Sequence, residues 1–446
     1  MSTPKRYYTF IIIYLAAAIG PFSGNLILPM IQVLKTDLFT DVTLIMLSFT
    51  LFQIPFAIGQ FFSGGLSDIY GRRKLIAGGF LILAVGFAFT PFSTDIWFFI
   101  ASRILQGVGM ALIAPVLIAL IGDLTDISNR GRHMGFYSSA IRAGIALGPL
   151  VGGLLASHWR PLFMAMAVFS LGLLVCSWVC LRGIAVEEGG SAGEVVENLR
   201  DTLRYRNVHI LSVIGFLLFF SYIAVISLTS DGLSVFPYYL DSSLIGIILS
   251  TSGFVGVFSS SIAGFLTDKF GKRKIPTIGL VITVIALVAL ALSTTYSEPA
   301  FPLAFVPNVL EQLGQGTSIT GQALVNMLII QTLLKSLSGG IFTSFLVFMT
   351  IMGIGLSFVW PALLALTVEV VPPQNRGASA SIFSGMRFLG YAMAPVAFTP
   401  VYLSIGLDMV FIIGATLIPA IIALIFLVTR KKVEKPEIKR EKEIPK

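Results

Sequence analysis

Four charged residues lie well inside apolar stretches of the chain that are long enough to cross a lipid bilayer, away from the ends of those stretches. Three are arginines, Arg103, Arg142 and Arg387, and the fourth is Asp231. A charged side chain in a membrane span costs roughly 2.5–3.5 kcal/mol on insertion scales, so it usually faces a cavity or a partner. A carboxylate there can carry a proton, and guanidinium groups can bind a carboxylate or phosphate through their planar forks. These residue types therefore favour proton exchange and anion binding within a bilayer.

Each of these assignments has a structural alternative. Arg103 lies within about two turns of the outer end of its span, so its side chain could instead extend to the headgroups. Arg142 and Arg387 could reach the inner headgroups or bind backbone carbonyls at helix breaks. Asp231 could cap a broken helix at the outer boundary. Three arginines facing one cavity with a single aspartate would make that cavity net positive, which disfavours a simple organic cation as ligand.

The composition places these residues in a membrane protein. The chain has 446 residues, of which 56% are hydrophobic and 12% charged, and its mean hydropathy is +0.91. Soluble domains carry about 25% charged residues, so one or two globular cores cannot hide this much apolar surface. The apolar runs are continuous rather than alternating, which argues against a β-barrel. We predict an all-α polytopic membrane protein with about twelve helices in two pseudo-symmetric six-helix bundles.

Long apolar stretches and the polar breaks between them give the domain organisation. Residues 1–181 are predicted to form a first bundle, 182–207 a cytoplasmic linker, 208–429 a second bundle and 430–446 a basic tail. The second bundle contains an external insertion at about 294–339. The predicted spans are 8–31, 43–66, 75–93, 97–121, 134–156 and 162–181, then 208–238, 244–267, 275–293, 341–370, 377–403 and 409–429.

Basic residues are distributed unevenly between the two predicted sides. Of the 30 lysines and arginines, 24 fall on one side, and only Lys35, Arg160 and Lys335 fall in loops on the other. By the positive-inside rule the first side is cytoplasmic, which predicts a cell-membrane protein with both termini in the cytoplasm. The net charge of +8 then reflects cytoplasmic loops, and nucleic acid is not an expected partner. Cys176 and Cys180 lie within one apolar run and indicate neither a disulfide nor a metal site.

An internal repeat relates the two halves. The segment starting at Gly64 (GGLSDIYGRRK) matches the one starting at Gly264 (GFLTDKFGKRK) at an offset of 200, and later positions match at an offset of 246. At the larger offset Arg142 corresponds to Phe388, the residue after Arg387. The two arginines are therefore expected at similar depth in opposite halves. The difference between the offsets requires an insertion of 46 residues, which holds an apolar-periodic stretch. From Gln322–Leu337 we expect a short helix on or in the outer leaflet, with a structured external loop as the alternative.

The repeated loop resembles a motif of the major facilitator superfamily, and the resemblance covers essentially the whole chain. The pattern Gly-x3-Asp-x2-Gly followed by two basic residues is met in both halves. Glycine permits a tight turn, and aspartate can sit at a helix N-terminus. We predict two ion pairs, Arg72 with Asp123 and Lys272 with Glu369, that latch the outward-open state, unless these basic loops only set orientation. The predicted latch residues are Asp68, Gly71, Arg72, Asp123, Asp268, Gly271, Lys272 and Glu369.

The fourth predicted helix resembles a second motif of the superfamily, Arg-x2-Gln-Gly-x-Gly. Arg103 and Gln106 occupy its polar positions. The resemblance implies a role near proton or substrate coupling.

The fifth predicted helix matches a motif associated with drug/proton antiporters of the superfamily. Small residues at this spacing allow close helix packing, and the proline favours a bend. The counterpart in the second half is Ala394-Pro395 without the glycines. The resemblance therefore leans toward export. The matching residues are Gly144, Gly148, Pro149, Gly152 and Gly153.

The first helix departs from related multidrug antiporters, which often carry an acid four residues before a proline. Here Asn25 precedes Pro29, and asparagine cannot exchange a proton at physiological pH. The equivalent part of the seventh helix supplies Asp231, which becomes the candidate proton carrier. The predicted substrate and proton pathway contains Asp231, Arg103, Arg142, Arg387, Asn25 and Gln106.

These observations favour a secondary transporter of small molecules working by alternating access, with proton-coupled export of the multidrug type as the leading hypothesis. The alternative within transport is uptake or exchange of an organic anion, which the arginines favour. A hypothesis from a different class is a non-transporting membrane receptor. Catalysis has little support, since the sequence holds no metal-ligand spacing, nucleophile motif or phosphate-binding loop. The expected partners are a small-molecule cargo, protons and the bilayer, with no cofactor and a monomer as the functional unit.

Overall fold

The computed structural model describes residues 3–182, 192–235, 237–296 and 321–430, and the regular structure in this part of the chain is helical. Apolar residues dominate these segments, and a helix satisfies its own backbone hydrogen bonds without water. The long helices are numbered in chain order: α1 (Thr3–Leu26), α2 (Val42–Tyr70), α3 (Arg72–Phe89), α4 (Ile96–Leu124), α5 (Ile127–Leu154), α6 (Trp159–Cys180), α7 (Arg206–Ser234), α8 (Ser242–Phe270), α9 (Lys274–Tyr296), α10 (Gly321–Glu369), α11 (Arg376–Ile405) and α12 (Leu407–Arg430).

Membrane-spanning character extends through almost all of these helices. In the described part of the chain, 11 helices are long and apolar enough to cross a bilayer. The remaining long helix, α5, is less apolar because glycines, serines and arginines interrupt it. Its position within the bundle is nevertheless that of a spanning helix, since it packs along α1 and α8. The predicted all-α polytopic fold is confirmed.

The helices form two sets of six that touch along two seams. Within the first set α1 packs on α5, α2 on α4, and α3 on α4 and α6. Within the second set α7 packs on α11 and α12, while α10 packs on α8 and α9. The two halves meet where α2 lies against α11 and where α5 lies against α8. Residues on these four helices therefore line the region between the halves.

The repeat extends into the turns that begin and end the second helix of each half. Asp41 and Asp241 accept hydrogen bonds from backbone N–H groups at the starts of α2 and α8. Gly71 and Gly271 end the same helices with φ of 87° and 97°, a conformation that favours glycine. The end of the bundle that holds the Gly71 and Gly271 turns is called the basic end here. The residues two before each aspartate also share a positive φ: Phe39 (49°) and Tyr239 (48°).

A short helix in the linker, Ala192–Thr202, joins the two halves at the basic end. A Cβ added to Gly65 of α2 would lie 2.3 Å from Val195 Cγ2, so this helix packs closely on the first half. At its other end Thr202 Oγ1 accepts a hydrogen bond of 3.0 Å from Asn375 Nδ2. The linker is therefore partly helical and contacts both halves.

The external insertion differs from its predicted form. Residues 321–338 do not make a separate short helix, because α10 runs unbroken over the 49 residues of Gly321–Glu369. The predicted break between a short helix at 322–337 and a span beginning at 341 is absent, because an interrupted helix would leave backbone N–H and C=O groups unpaired where water is scarce. Residues 297–320 of the insertion lie outside the described residues.

Candidate functional site

Arg142 of α5 reaches across the seam between the halves. A Cβ on Gly256 of α8 would lie 2.9 Å from Arg142 Nη1, so the guanidinium packs directly against this glycine. Tyr222 of α7 lies close enough to interact electrostatically with this guanidinium. The Tyr222 hydroxyl is 3.4 Å from Ser252 Oγ on α8. A cation from the first half is thus surrounded by residues of the second.

Arg387 of α11 is packed among aromatic rings. Its guanidinium carbon lies 4.2 Å from the ring centre of Phe388, 4.7 Å from Trp360 and 5.1 Å from Phe219. Cations over aromatic faces are attracted by the ring quadrupole. The buried Nε of Arg387 has no hydrogen-bond partner among the described residues. Tyr137 of α5 is near enough to interact electrostatically with Arg387.

Tyr391, one turn after Arg387 on α11, connects this region to the first helix. Its hydroxyl donates a hydrogen bond of 2.7 Å to Asn25 Oδ1. The Asn25 amide nitrogen donates to the Pro21 carbonyl at 2.8 Å, which fixes the orientation of the side chain. Asn25 is therefore a polar contact between α1 and α11.

These side chains define a central cluster between the halves. None of the described residues gives either guanidinium a carboxylate partner. Several members keep partial solvent accessibility although they lie deep between helices. The structure thus places Arg142 and Arg387 at the region between the halves. The central cluster consists of Arg142, Phe219, Tyr222, Trp360, Arg387 and Tyr391.

Asp231 lies in the last turn of α7, at the end of the bundle opposite to the basic end. Its Oδ1 is 3.1 Å from Lys35 Nζ, and its Oδ2 accepts a hydrogen bond of 3.0 Å from the Tyr402 hydroxyl. The carboxylate side chain is only 4% exposed. The predicted span 208–238 is too long, because α7 ends at Ser234. The alternative that Asp231 caps a broken helix is wrong, since its side chain binds Lys35 and Tyr402.

Lys35 was missed as a site residue, because the sequence placed it in an outer loop. It lies on a short helix, Ile31–Asp37, that precedes α2. Lys35 belongs to the first half, whereas Asp231 and Tyr402 belong to the second. Of the ion pairs between described residues, Lys35–Asp231 alone joins the two halves. These three residues are called the ion-pair cluster.

Other contacts also bring the halves together at the opposite end. The Ser230 hydroxyl on α7 donates a hydrogen bond to the Leu28 carbonyl. A Cβ on Gly153, at the end of α5, would lie 2.3 Å from the Ser242 carbonyl oxygen on α8. The ion-pair cluster is therefore part of a closed contact between the halves.

Comparison with known proteins decides the family. The family model described as Major Facilitator Superfamily matches residues 13–333 and 316–446. This chain belongs to the Major Facilitator Superfamily. It is therefore a multi-pass membrane transporter, and the predicted family is confirmed.

Three superfamily relatives are exporters or resistance proteins by name. Multidrug resistance protein 2 of Bacillus subtilis (strain 168) is 29% identical over 53% of this chain and 62% of its own length. The Bacillibactin exporter of the same organism is 25% identical over 92% of this chain and 94% of its own length. Citrate exporter 1 of Aspergillus niger is 29% identical over 39% of this chain and 34% of its own length.

A solved transporter structure shares the fold. The crystal structure of a bacterial homologue of the human lysosomal transporter Spinster, in an inward-facing and unoccupied conformation, superposes with a TM-score of 0.69. The match covers 96% of this chain and 98% of that chain at 16% sequence identity. At this identity the likeness concerns the fold alone.

The fourth-helix motif of the superfamily lies inside the first half. Arg103 is fully buried, donates a hydrogen bond of 2.6 Å to Gln106 Oε1 and lies 4.2 Å from the Phe52 ring. Gln106 Nε2 in turn donates to Thr90 Oγ1 at 2.8 Å. The alternative that Arg103 extends to the headgroups is wrong, because its side chain points inward. These contacts place Arg103 and Gln106 within the first half and apart from the central cluster.

The superfamily loop motif forms an ion pair within each half at the basic end. Arg72 Nε is 2.7 Å from Asp123 Oδ2, and the same guanidinium also bonds Ser67. Lys272 bonds Glu369 in the second half. Neither pair crosses between the halves, and both exist while the opposite end is closed. Their role as latches of an outward-open state remains a prediction.

The remaining two aspartates of the predicted latch, Asp68 and Asp268, are not members of these two ion pairs. Asp268 is exposed at the end of α8. The side chain of Asp68 lies outside the described residues.

The fifth-helix motif provides close packing on both sides of α5. Cβ atoms added to Gly144, Gly148 and Gly152 would lie 2.3, 2.6 and 2.1 Å from backbone carbonyl oxygens of α1. Pro149 and Gly153 instead face α8, where the Pro149 carbonyl oxygen is 2.5 Å from a Cβ position on Gly246. The motif thus positions α5 against α1 and against the other half.

The second half retains one glycine of this motif, which the sequence comparison overlooked. Gly390 follows Gly144 by the repeat offset of 246. A Cβ on Gly390 of α11 would lie 2.3 Å from the Phe216 carbonyl oxygen of α7. Gly390 therefore packs α11 on α7 as Gly144 packs α5 on α1.

Proposed function

We propose that this transporter exports small molecules by proton-coupled alternating access. The observation that carries the proposal is the ion pair between Lys35 and Asp231, because it joins the halves at one end through a group that can take up a proton. The exporter relatives and the fifth-helix motif support the direction of transport. The chain acts as a monomer in the cell membrane, with its basic end and both termini in the cytoplasm.

Asp231 is the proton-binding group in this proposal. When its carboxylate is charged, Lys35 and Tyr402 hold it and the opposite end stays closed. Protonation removes the negative charge, which weakens the attraction across the seam. The opposite end can then open and expose the central cluster to the outside. Closure at one end and opening at the other is the rocking motion that a fixed central site requires.

The test is flux in proteoliposomes with an imposed pH gradient, using separate panels of cationic and carboxylate compounds. We expect Asp231→Asn to abolish the dependence of flux on the gradient. The matched control is Asp37→Asn, which breaks an ion pair with Arg160 at the same end but within the first half. Gradient-driven flux that survives in Asp231→Asn would show that this residue is not the proton carrier.

A second candidate function is uptake or exchange of an organic anion. The two guanidinium groups of the central cluster favour it, since none of the described carboxylates neutralises them. The direction of flux separates the two candidates. Accumulation of a carboxylate by cells that produce the transporter would favour uptake, whereas its depletion would favour export.

A further inference from the structure

We infer that the central cluster binds an aromatic carboxylate, with the anionic group between Arg142 and Arg387 and the ring against Trp360 and Phe219. This inference rests on the proposal that the region between the halves is the cargo site. It names the chemical class of that cargo, which neither the family nor the fold specifies.

The two positive charges of the central cluster favour binding of an anionic ligand. Arg142 and Arg387 come from opposite halves, and no described acid pairs with either. Asp231, which lies on α7 at the opposite end, is already bound to Lys35. An uncompensated buried charge is unfavourable, and a charged ligand is the available compensation. The buried, unpartnered Nε of Arg387 offers one arm of a guanidinium fork.

The aromatic side chains of the central cluster favour an anion that carries an aromatic ring. Phe219 and Trp360 lie with ring centres 5.5 Å apart at 66°, and Phe219 is 6.1 Å from Tyr391. Such rings offer faces and edges to a further aromatic ring. The hydroxyl groups of Tyr222 and Tyr391 add hydrogen-bonding capacity beside the two cations. A small, fully hydrophilic anion would leave these apolar faces uncovered, so it fits less well than an aromatic one.

The Arg142 guanidinium packs against a glycine of the other half. A Cβ at position 256 would lie 2.9 Å from Nη1, so alanine there requires the end of the Arg142 side chain to shift. Gly256→Ala therefore displaces Arg142 without removing its charge. Weaker binding in this variant would show that the location of the cation matters, and not merely its presence.

The experiment measures binding to the purified full-length chain by isothermal titration calorimetry. The probes are naphthoate, its neutral analogue naphthamide, and cyclohexanecarboxylate, which keeps the anion but lacks the aromatic ring. We expect naphthoate to bind at least about tenfold more tightly than naphthamide, because only the carboxylate makes a charge-assisted bidentate contact. We also expect it to bind more tightly than cyclohexanecarboxylate, because only the naphthyl ring packs against the aromatic side chains. Arg142→Gln and Arg387→Gln should remove the preference for naphthoate over naphthamide. The control Arg200→Gln changes an exposed arginine of the linker helix and should leave it intact.

Two further variants keep both positive charges, so they test the site even where Arg142→Gln or Arg387→Gln prevents folding. Arg387→Lys retains the charge but loses the planar fork, so it should weaken naphthoate binding while leaving naphthamide unchanged. Gly256→Ala should do the same, whereas Gly172→Ala on α6, where the added Cβ meets nothing within 4 Å, should not. Equal binding of naphthoate and naphthamide to the native chain would overturn the inference, as would a preference unaffected by every central-cluster variant.

Flux of the same probes separates this inference from the proposed function. Gradient-driven flux of ethidium without naphthoate binding would refute the substrate class and leave the transport proposal standing. Arginine-dependent naphthoate binding without flux of any probe would refute the transport proposal and leave the binding site standing.

Discussion

Replacing the Asp231 carboxylate by an amide is expected to open the end of the bundle opposite to the basic loops. Asp231→Asn removes the charge that attracts Lys35 but keeps an oxygen that can accept the Tyr402 hydrogen bond. The variant therefore isolates the electrostatic part of the contact. Lys35 is 22% exposed, so after the change its ammonium group can turn toward water at little cost.

The size of the effect follows from the geometry of the pair. Unit charges separated by the 3.1 Å between Lys35 Nζ and Asp231 Oδ1 attract by about 5 kcal/mol at an effective dielectric constant of about 20. Desolvation of the buried carboxylate offsets a large part of this attraction. The lowest coupling energies measured for close charge pairs in a protein–protein interface are about 1.5 kcal/mol. With about 2 kcal/mol lost, the ratio of closed to open molecules falls by about thirtyfold.

The assay is a distance measurement between spin labels on the two halves. Labels at Phe39→Cys and Tyr239→Cys occupy equivalent turns of the repeat, and the two native residues are 91% and 62% exposed. The native cysteines are first replaced by serine. In the unchanged ion-pair cluster we expect one short distance, and in Asp231→Asn an added population at longer distance.

Two variants decide whether the ion pair causes the change. Lys35→Gln should act like Asp231→Asn, and the exchanged pair Lys35→Asp with Asp231→Lys should restore part of the short-distance population. Asp37→Asn, which breaks an ion pair within the first half, should have no effect. Unchanged distances in both single variants would refute the conclusion that Lys35 and Asp231 hold the halves together.

Two further predictions concern packing and the basic end. Gly148→Ala places a methyl group 2.6 Å from the Phe22 carbonyl oxygen and should destabilise the fold by about 1–3 kcal/mol, seen as a lower unfolding temperature, whereas Gly172→Ala should not. Arg72→Gln should slow transport more than Lys272→Gln, because the Arg72 side chain is 10% exposed and that of Lys272 is 27% exposed. Equal rates in these two variants would show that burial does not set the importance of the loop ion pairs.

The fold follows from the sequence to a large extent, because a bilayer restricts the chain to a few solutions. Continuous apolar runs must form helices, and the repeated loops fix how the halves correspond. The exception is α10, which runs through Gly339 and Gly340 although the predicted span begins at 341. A glycine costs only about 1 kcal/mol in a helix in water, which is less than the several kcal/mol of an unpaired backbone group in a membrane. The helix therefore continues through both glycines.

The candidate site was less predictable, because its contacts join residues far apart in the chain. Residue type and depth were enough to identify Asp231, Arg142 and Arg387. The partner Lys35 lies 196 residues before Asp231, and their contact depends on how the short helix at Ile31–Asp37 meets α7. The rings around Arg387 likewise depend on the rotation of α7 and α10. Periodicity in the sequence does not determine these rotations, since apolar residues occur on all sides of a buried helix.

The two clusters share two helices, and this arrangement couples them. Helix α7 carries Tyr222 of the central cluster and Asp231, which are nine residues or about 14 Å apart along the axis. Helix α11 carries Arg387 and Tyr402, which are fifteen residues or about 22 Å apart. Because a helix moves largely as a rigid body, separation of the halves at the ion-pair cluster also changes the position of Arg387 relative to Arg142 on α5. In the proposed mechanism, an anion that bridges both arginines favours the arrangement in which Asp231 is charged and bound to Lys35. Under that mechanism, proton binding weakens anion binding by the same factor as anion binding weakens proton binding. Exchange of a proton for a cargo requires this reciprocity.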